Sequence, residues 1–305
     1  MAMSTYMLLV LSTLAMALTA AVDAGAQVPV VMRVMSFNLR TTLANDPCPS
    51  GCWAQRKERI KQLLTKYTPD FIGTQEGAPD QIQFFQDTLG YAGVGECAGE
   101  CAYNERDSIF YAKERWALLE GSTFALSDTP EIIPSNTWNL AYLRTAVLAR
   151  FQRKETGNIV CILNTHYDIG TNGHVQSSLL VAKRLAAFCK PSDTVLLTGD
   201  LNAGPSTPAM QYLAGSTQLN GGYTPIPLYE TLIALGAGGP TWIGSSFGGQ
   251  TTGDKLDYIF ARRDAQSCLR SARIITDTFA GGFGCSDHAL VQSEFLIGAN
   301  CSSFA

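Results

Sequence analysis

The chain has 305 residues, 46% hydrophobic and 16% charged, with a formal net charge of -4 and a pI near 5.4. That is the composition of a globular protein long enough for one large domain or two small ones. No Lys/Arg-rich run is present, so the electrostatic footprint of a tight, non-specific nucleic-acid binder is missing, although a local basic patch is compatible with an acidic total.

The first segment, residues 1–26, has no Lys or Arg, an apolar stretch through 6–18 and the small residues "AGA" at 24–26. It reads as a secretory signal peptide cleaved near Ala26/Gln27, its apolar core being short for a membrane anchor. "PVVMRVMSFNLR" then reads as a strand running into a loop. "WAQRKERIKQLLTKY" is an amphipathic helix with Ile60, Leu63, Leu64 and Tyr67 on one face. "DFIGTQE" is a short buried strand, and "PDQIQFFQDTLG" a second helix, with Pro79 at its start and Gly90 just past its end. The middle is strand-rich: "DSIFYA", "WALLEGSTFAL", "YLRTAVLARFQ" and "NIVCILNTHY". A helix, "HVQSSLLVAKRLAAFC", precedes the strand "DTVLLTGDLN", and "KLDYIFAR", "SARIITDTF" and "DHALVQSEF" complete the set. Strands interspersed with helices, without repeats or an obvious linker, predict a layered α/β domain with mixed sheets.

All nine cysteines follow residue 26. Cys48/Cys52 and Cys97/Cys101 form tight C-x3-C pairs which, behind a signal peptide and without a nearby His, read as disulfides rather than a zinc site. Cys161, inside "IVCIL", is expected to be a buried thiol. Cys189, Cys268, Cys285 and Cys301 are left to pair in ways that spacing does not define, with Cys285 a possible disulfide anchor for the loop before Asp287. "NCS" at 300–302 makes Asn300 a glycan acceptor site.

Strand after strand ends in a group capable of chemistry. "VMSFN" delivers Asn38, "FIGTQE" Glu76, "CILNTH" His166, and "LLTGDLN" Asp200 and Asn202. "KLDY" presents Asp257, and "CSDH" Asp287 and His288. A buried strand gains nothing from such groups unless they are paired, since an uncompensated buried charge costs several kcal/mol, roughly. Taken singly, each has an ordinary explanation: Glu76 beside a helix start, Asn202 as a turn former, Asp257 as a solvated strand start. As an ordered set they point to one pocket at a sheet edge. Asn, Asp and Glu oxygens suit Mg²⁺ or Mn²⁺ better than Zn²⁺, and two histidines beside them suit phosphoryl chemistry with an activated water.

The order "SFNLR … GTQE … SIFY … NTHYD … TGDLNA … LDYIF … SDHALV" resembles the endonuclease/exonuclease/phosphatase superfamily over about residues 32–296. The resemblance implies a four-layer α/β/β/α sandwich of two mixed sheets packed face to face, forming a single catalytic domain over 27–305. It further implies that Glu76 is the main metal carboxylate, with Asn38 and Asp287 close to the same ion. Asp200 would activate the attacking water and Asn202 would position it. His166 and His288 would donate to the scissile phosphate, Asp257 would orient His288, and Tyr111 would contact phosphate. Arg40 and Arg144 follow as supporting or phosphate-binding groups. Relatives usually carry "THLDH" followed by an Arg on the next helix. Here "THYDIGTNGH" puts Ile169 at the His position and His174 near the Arg position. His174 reads either as a substrate contact or as a solvent-facing residue of a helix start, and Trp242 either as a substrate-facing aromatic or as packing.

These residues predict a secreted, Mg²⁺-dependent phosphoesterase, acting on a diester, with a deoxyribonuclease-type nuclease as the alternative. From another class comes a secreted binding or effector protein that keeps the fold without turnover, against which the intact constellation speaks. Lys255 and Arg144 are the candidates for binding additional substrate phosphates.

Overall fold

Most strands of this chain are apolar on both faces, and such strands require cover on both sides. The computed structural model, which describes residues 29–263 and 267–298, supplies that cover with two sheets facing each other and helices outside both. The expected signal peptide, Asn300 and Cys301 lie outside the described residues.

The first sheet runs in the order β11 (Ser267–Ile275), β12 (Leu290–Ile297), β1 (Val30–Asn38), β2 (Phe71–Gly77), β4 (Arg106–Tyr111), β3 (Ala92–Val94). The second runs β5 (Trp116–Ala125), β6 (Thr145–Arg153), β7 (Ile159–His166), β8 (Thr194–Asp200), β10 (Asp257–Arg262), β9 (Leu228–Glu230). Each holds one parallel pair at its centre, β1/β2 and β7/β8, flanked by antiparallel neighbours. A parallel pair requires a crossover, and α1 (Trp53–Tyr67) and α3 (Thr171–Phe188) provide the two. The α2 helix (Pro79–Gln83), extended by a wide turn to Thr88, joins α1 outside the first sheet, and α4 (Pro208–Leu213) joins α3 outside the second. A short α5 (Thr231–Ala234) follows β9.

Strand alternation sorts the side chains into three cores. Val34, Phe71, Ile109 and Val291 of the first sheet meet Val147, Ile162, Leu196 and Ile259 of the second in the middle of the sandwich. Met35, Phe37 and Ile72 point outward to Ile60, Leu63 and Leu64 of α1. Leu163, Leu197 and Phe260 point the other way, to Val181 and Leu185 of α3. Each such fully buried side chain contributes about 1.5–3 kcal/mol of transfer free energy. Above the central core lies a polar layer. Asn164 donates to the carbonyls of Thr74 (2.8 Å) and Ser108 (3.1 Å) and accepts from Gln75 (2.7 Å) and Thr198 (2.9 Å). Gly73 makes room for it: a Cβ there would stand 2.1 Å from Thr198 Oγ1 and 2.4 Å from Asn164 Oδ1.

Cys48–Cys52 and Cys97–Cys101 are disulfides, and so is Cys161–Cys189. The expectation of a buried Cys161 thiol is therefore corrected. Alternation turns Cys161 toward the helix layer, where the end of α3 brings Cys189 against it. Cys285 is the buried free thiol among the described residues, so no disulfide anchors the loop before Asp287. Two buried arginines of α1 hold that region instead. Arg56 donates to the carbonyls of Gly51 (2.6 Å), Leu39 (2.5 Å) and Arg40 (2.8 Å), and Arg59 to those of Ser50 (2.6 Å), Pro49 (2.6 Å) and Gly284 (3.1 Å).

Candidate active site

The alternation that builds the central core also aims the polar strand ends. Asn38 lies on the face of Val34, His166 on that of Ile162, Asp200 on that of Leu196 and Asp257 on that of Ile259, all turned toward the opposite sheet. The register places His166 beside Asp200 and Asp200 beside Asp257. Glu76 is different: continued alternation would send it to the helix layer with Ile72. Its φ of 61° and a register irregularity between Thr74 and Gly77 break the alternation there. Its carboxylate then accepts from Asn38 Nδ2 (2.9 Å) and from the Thr41 N–H (3.1 Å).

Two further hydrogen bonds cross between the sheets at the site itself. Asn38 Nδ2 donates to Asp200 Oδ2 at 3.0 Å, and His288 Nδ1, from the turn before β12, donates to Asp257 Oδ2 at 2.9 Å. That turn is pinned by the segment Thr241–Gly244: the N–H groups of Ile243 and Gly244 donate to the Asp287 carbonyl, and Ala289 N–H to that of Thr241. Thr241 Oγ1 also donates to Asp257 Oδ2 at 2.6 Å. His166 Nε2 lies 3.5 Å from Asp200 Oδ2 and 3.1 Å from Asn202 Nδ2, while its Nδ1 lies 2.8 Å from an Arg144 guanidinium nitrogen. Asn202, at φ 48°, also donates to the Tyr167 carbonyl (2.9 Å).

The electrostatics follow from burial and crowding. Burial pushes the Asp200 carboxyl up to about 7; His288 opposes this, and Asp257 adds to it. Burial raises Asp287 too, with Glu76 adding repulsion and His288 and Arg40 countering it. Burial alone would lower His288, but Asp257 and Asp200 together outweigh it and hold the ring charged well above its ordinary range. His166 goes the opposite way, well below the ordinary range, through burial and then the charges of Arg144 and His288.

Asp200, Asp257 and His288 offer ligand atoms within 4.8 Å of one another. In that trio the His288 Nδ1 already donates to Asp257 Oδ2, so that ring nitrogen is not free to take a cation. Glu76 and Asp287 fit a divalent ion better: they are oxygen donors, they repel each other across one point, and Arg40 Nε, 3.7 Å from Asp287 Oδ2, is a partial counter-charge. Asn38 borders the same point with a difference from expectation. Its oxygen accepts from the Arg40 N–H (2.9 Å), so its nitrogen faces the carboxylates.

Three expectations fail on position. Tyr111 pairs with Phe71 at the far end of the antiparallel β2/β4 ladder and packs on Phe151, remote from the site; β4 runs away from the pocket, and its site end is Arg106. Lys255 is buried, donating to the Asp257 carbonyl (2.5 Å) and pairing with Glu230 (3.3 Å), which removes it as a phosphate group. His174 is buried against Asp168, not solvent-facing, whereas Ile169 is 64% exposed. Trp242 is 44% exposed and bridges His288 across a short antiparallel contact. Arg40 and Arg144 both reach the site.

Sequence reasoning missed Glu105, Asp168 and Thr241. Glu105 lies 3.4 Å from Arg144 and 3.9 Å from His166 Nδ1. Burial, then the charge of Glu76, raises its carboxyl to about 7. A signal existed for Glu105, the carboxylate just before "RDSIFY", once the site end of that strand is known to be its start.

The chain matches the Endonuclease/Exonuclease/phosphatase family over residues 35–288. Carbon catabolite repressor protein 4 homolog 3 of Arabidopsis thaliana is 27% identical over 204 residues, 61% of this chain and 43% of that protein, so the chain spans less than half of that relative's length. An endonuclease/exonuclease/phosphatase family protein of Bacteroides thetaiotaomicron has the same fold, with a TM-score of 0.73 and 24% identity over 88% of this chain and 99% of that one. A mannosyl-6-phosphatase of the same organism aligns with a TM-score of 0.72 and 24% identity, covering 87% and 99%.

Proposed function

The chain belongs to the endonuclease/exonuclease/phosphatase family, and from that membership we propose that it is a secreted, Mg²⁺-dependent phosphoesterase that hydrolyses a diester by attack of an activated water. The observation that carries this is the facing of two unlike sets across one pocket. Glu76 and Asp287 supply repelling carboxylates on one side, and Asp200 and the Asp257–His288 pair supply proton-handling groups on the other. The disulfides support an extracellular setting.

Glu76 and Asp287, beside Asn38, would hold a divalent cation, which would neutralise charge on the phosphate. Asp200, with a carboxyl near 7, is matched to take a proton from water close to neutral pH. Asn202 presents an amide N–H beside it. His288, charged and held by Asp257, gives a proton to the leaving oxygen as the P–O bond breaks. His166 faces the same space through Nε2.

The test is Mg²⁺-dependent release of p-nitrophenol from its phosphate bis-ester. Asp200→Ala is expected to lower turnover by about 10²–10⁴-fold, the range for losing a general base. Plasmid DNA, RNA, sphingomyelin and inositol and sugar phosphates then rank the substrate classes. No turnover of any phosphoester by the wild type, with Mg²⁺ or Mn²⁺, overturns the reading and leaves a non-catalytic binding protein.

A further inference from the structure

The His166 ring faces two nitrogen donors and has only one lone pair to offer them. Arg144 approaches Nδ1 at 2.8 Å and the Asn202 amide approaches Nε2 at 3.1 Å. A guanidinium has no acceptor, so Nδ1 must be bare if the Arg144 contact is a hydrogen bond. The Asn202 amide cannot be turned to help, because its nitrogen donates to the Tyr167 carbonyl at 2.9 Å and its oxygen would repel that carbonyl. One of the two contacts on the ring is therefore unfavourable.

Three observations decide between them. The Arg144 bond is shorter and charge-assisted, and such bonds are roughly twice as strong as neutral ones. Arg144 is buried and held in place, 3.4 Å from Glu105, 3.9 Å from Asp168 and over the Tyr142 ring at 5.0 Å, whereas Asn202 already has a full partner. The Nε2 edge faces an acceptor, Asp200 Oδ2 at 3.5 Å. We propose that Arg144 is a positioning residue: its guanidinium fixes His166 as the Nε2–H tautomer, so that the ring turns a donor toward Asp200 and the scissile phosphate.

The consequence is local and directional. His166 Nε2–H and the second Asn202 N–H then point into one space, two donors set for a phosphate oxygen. Glu105, 3.9 Å from Nδ1, is the nearest alternative partner for that nitrogen. Without Arg144 the ring would give Nδ1–H to Glu105 and turn a bare Nε2 to the site. Only this last step, from tautomer to catalysis, rests on the phosphoesterase reading.

The chain has three histidines, so ring-nitrogen NMR of the uniformly ¹⁵N-labelled protein contains three spin systems. In the wild type at pH 7, His166 is expected to show a protonated Nε2 and a bare Nδ1. Arg144→Met is expected to move the proton to Nδ1 and lower kcat by about 10²-fold, the low end for losing one preorganised donor to a developing oxyanion, with KM little changed. Arg144→Lys, which keeps a cationic donor, is expected to retain the Nε2–H form. A wild-type ring carrying its proton on Nδ1 or on both nitrogens overturns the proposal, and so does an Nε2–H form that persists in Arg144→Met. Should Arg144→Met fail to fold, the wild-type spectrum decides alone. The Nε2–H tautomer in a wild type that hydrolyses no phosphoester leaves the Arg144 assignment standing and removes the hydrolase reading.

Discussion

Glu76, Asn202 and Arg40 have φ values of 61°, 48° and 50°, a region that residues with a Cβ occupy only at a cost of roughly 1–2 kcal/mol. All three border the pocket, and the strain is part of how Glu76 is turned away from the helix layer. Charge crowding is the second local cost. Glu105 shows its sign clearly, since its carboxyl is raised from 4.5 to about 7 by burial first and by Glu76 second. A carboxyl raised in the folded protein contributes stability that is complete below its ordinary pKa and is lost as pH rises through about 7. Glu105→Gln removes that loss. In EDTA the variant is expected to gain on the wild type between pH 5 and pH 8 by about 1–2 kcal/mol, discounted because the carboxylate is one-third exposed. Thermal unfolding at the two pH values measures it, and a difference that does not change with pH refutes the assignment.

At the level of single elements, α1 does two jobs with one face. Ile60, Leu63 and Leu64 seal the first sheet, and Arg56 and Arg59 on the adjoining turns bind seven backbone carbonyls of three loops. One of those loops follows Asn38 and another precedes Asp287, so the helix sets the spacing of two site residues through the loops beside them. Arg56 stays charged at neutral pH although burial lowers it to about 10. Arg56→Lys cannot reproduce the planar fork and leaves at least one buried carbonyl without a donor. A loss of about 2–4 kcal/mol in urea denaturation is expected; a loss below about 0.5 kcal/mol would mean that those carbonyls are satisfied otherwise. The apolar stripe of α1 was legible in the sequence because it repeats at the helical period. The role of its arginines was not, because their acceptors are backbone groups brought from distant loops. Cys161 was hidden for the same reason, its partner lying at the end of α3.

Across the whole molecule the two sheets repeat one plan: a central parallel pair, a crossover helix, and antiparallel strands on either side. The carboxyl ends of both parallel pairs open at the same edge, the usual place for a ligand in sheets of this kind. Asn38 and Glu76 come from one pair and His166 and Asp200 from the other. For Asn38, His166 and Asp200 that much followed from reading strand ends, since a period of two fixes which residues share a face, whereas Glu76 reaches the site only because its backbone breaks that period. Tyr111 failed because a motif does not state strand direction, and Arg144 was read without its partner because a turn of the chain between β5 and β6 delivers it. The plan also predicts where a cation binds. Glu76 and Asp287 belong to the first sheet and its turn, whereas the Asp200–Asp257–His288 cluster straddles both sheets. Mg²⁺ at a hundred times its dissociation constant stabilises the folded state by about 2.7 kcal/mol, which for a chain of this size raises Tm by roughly 5–10 °C. Glu76→Gln and Asp287→Asn are expected to abolish that rise, and His288→Gln to keep it. The reverse pattern, in which only His288→Gln abolishes the shift, would place the ion in the straddling cluster and transfer the proton-handling role away from it.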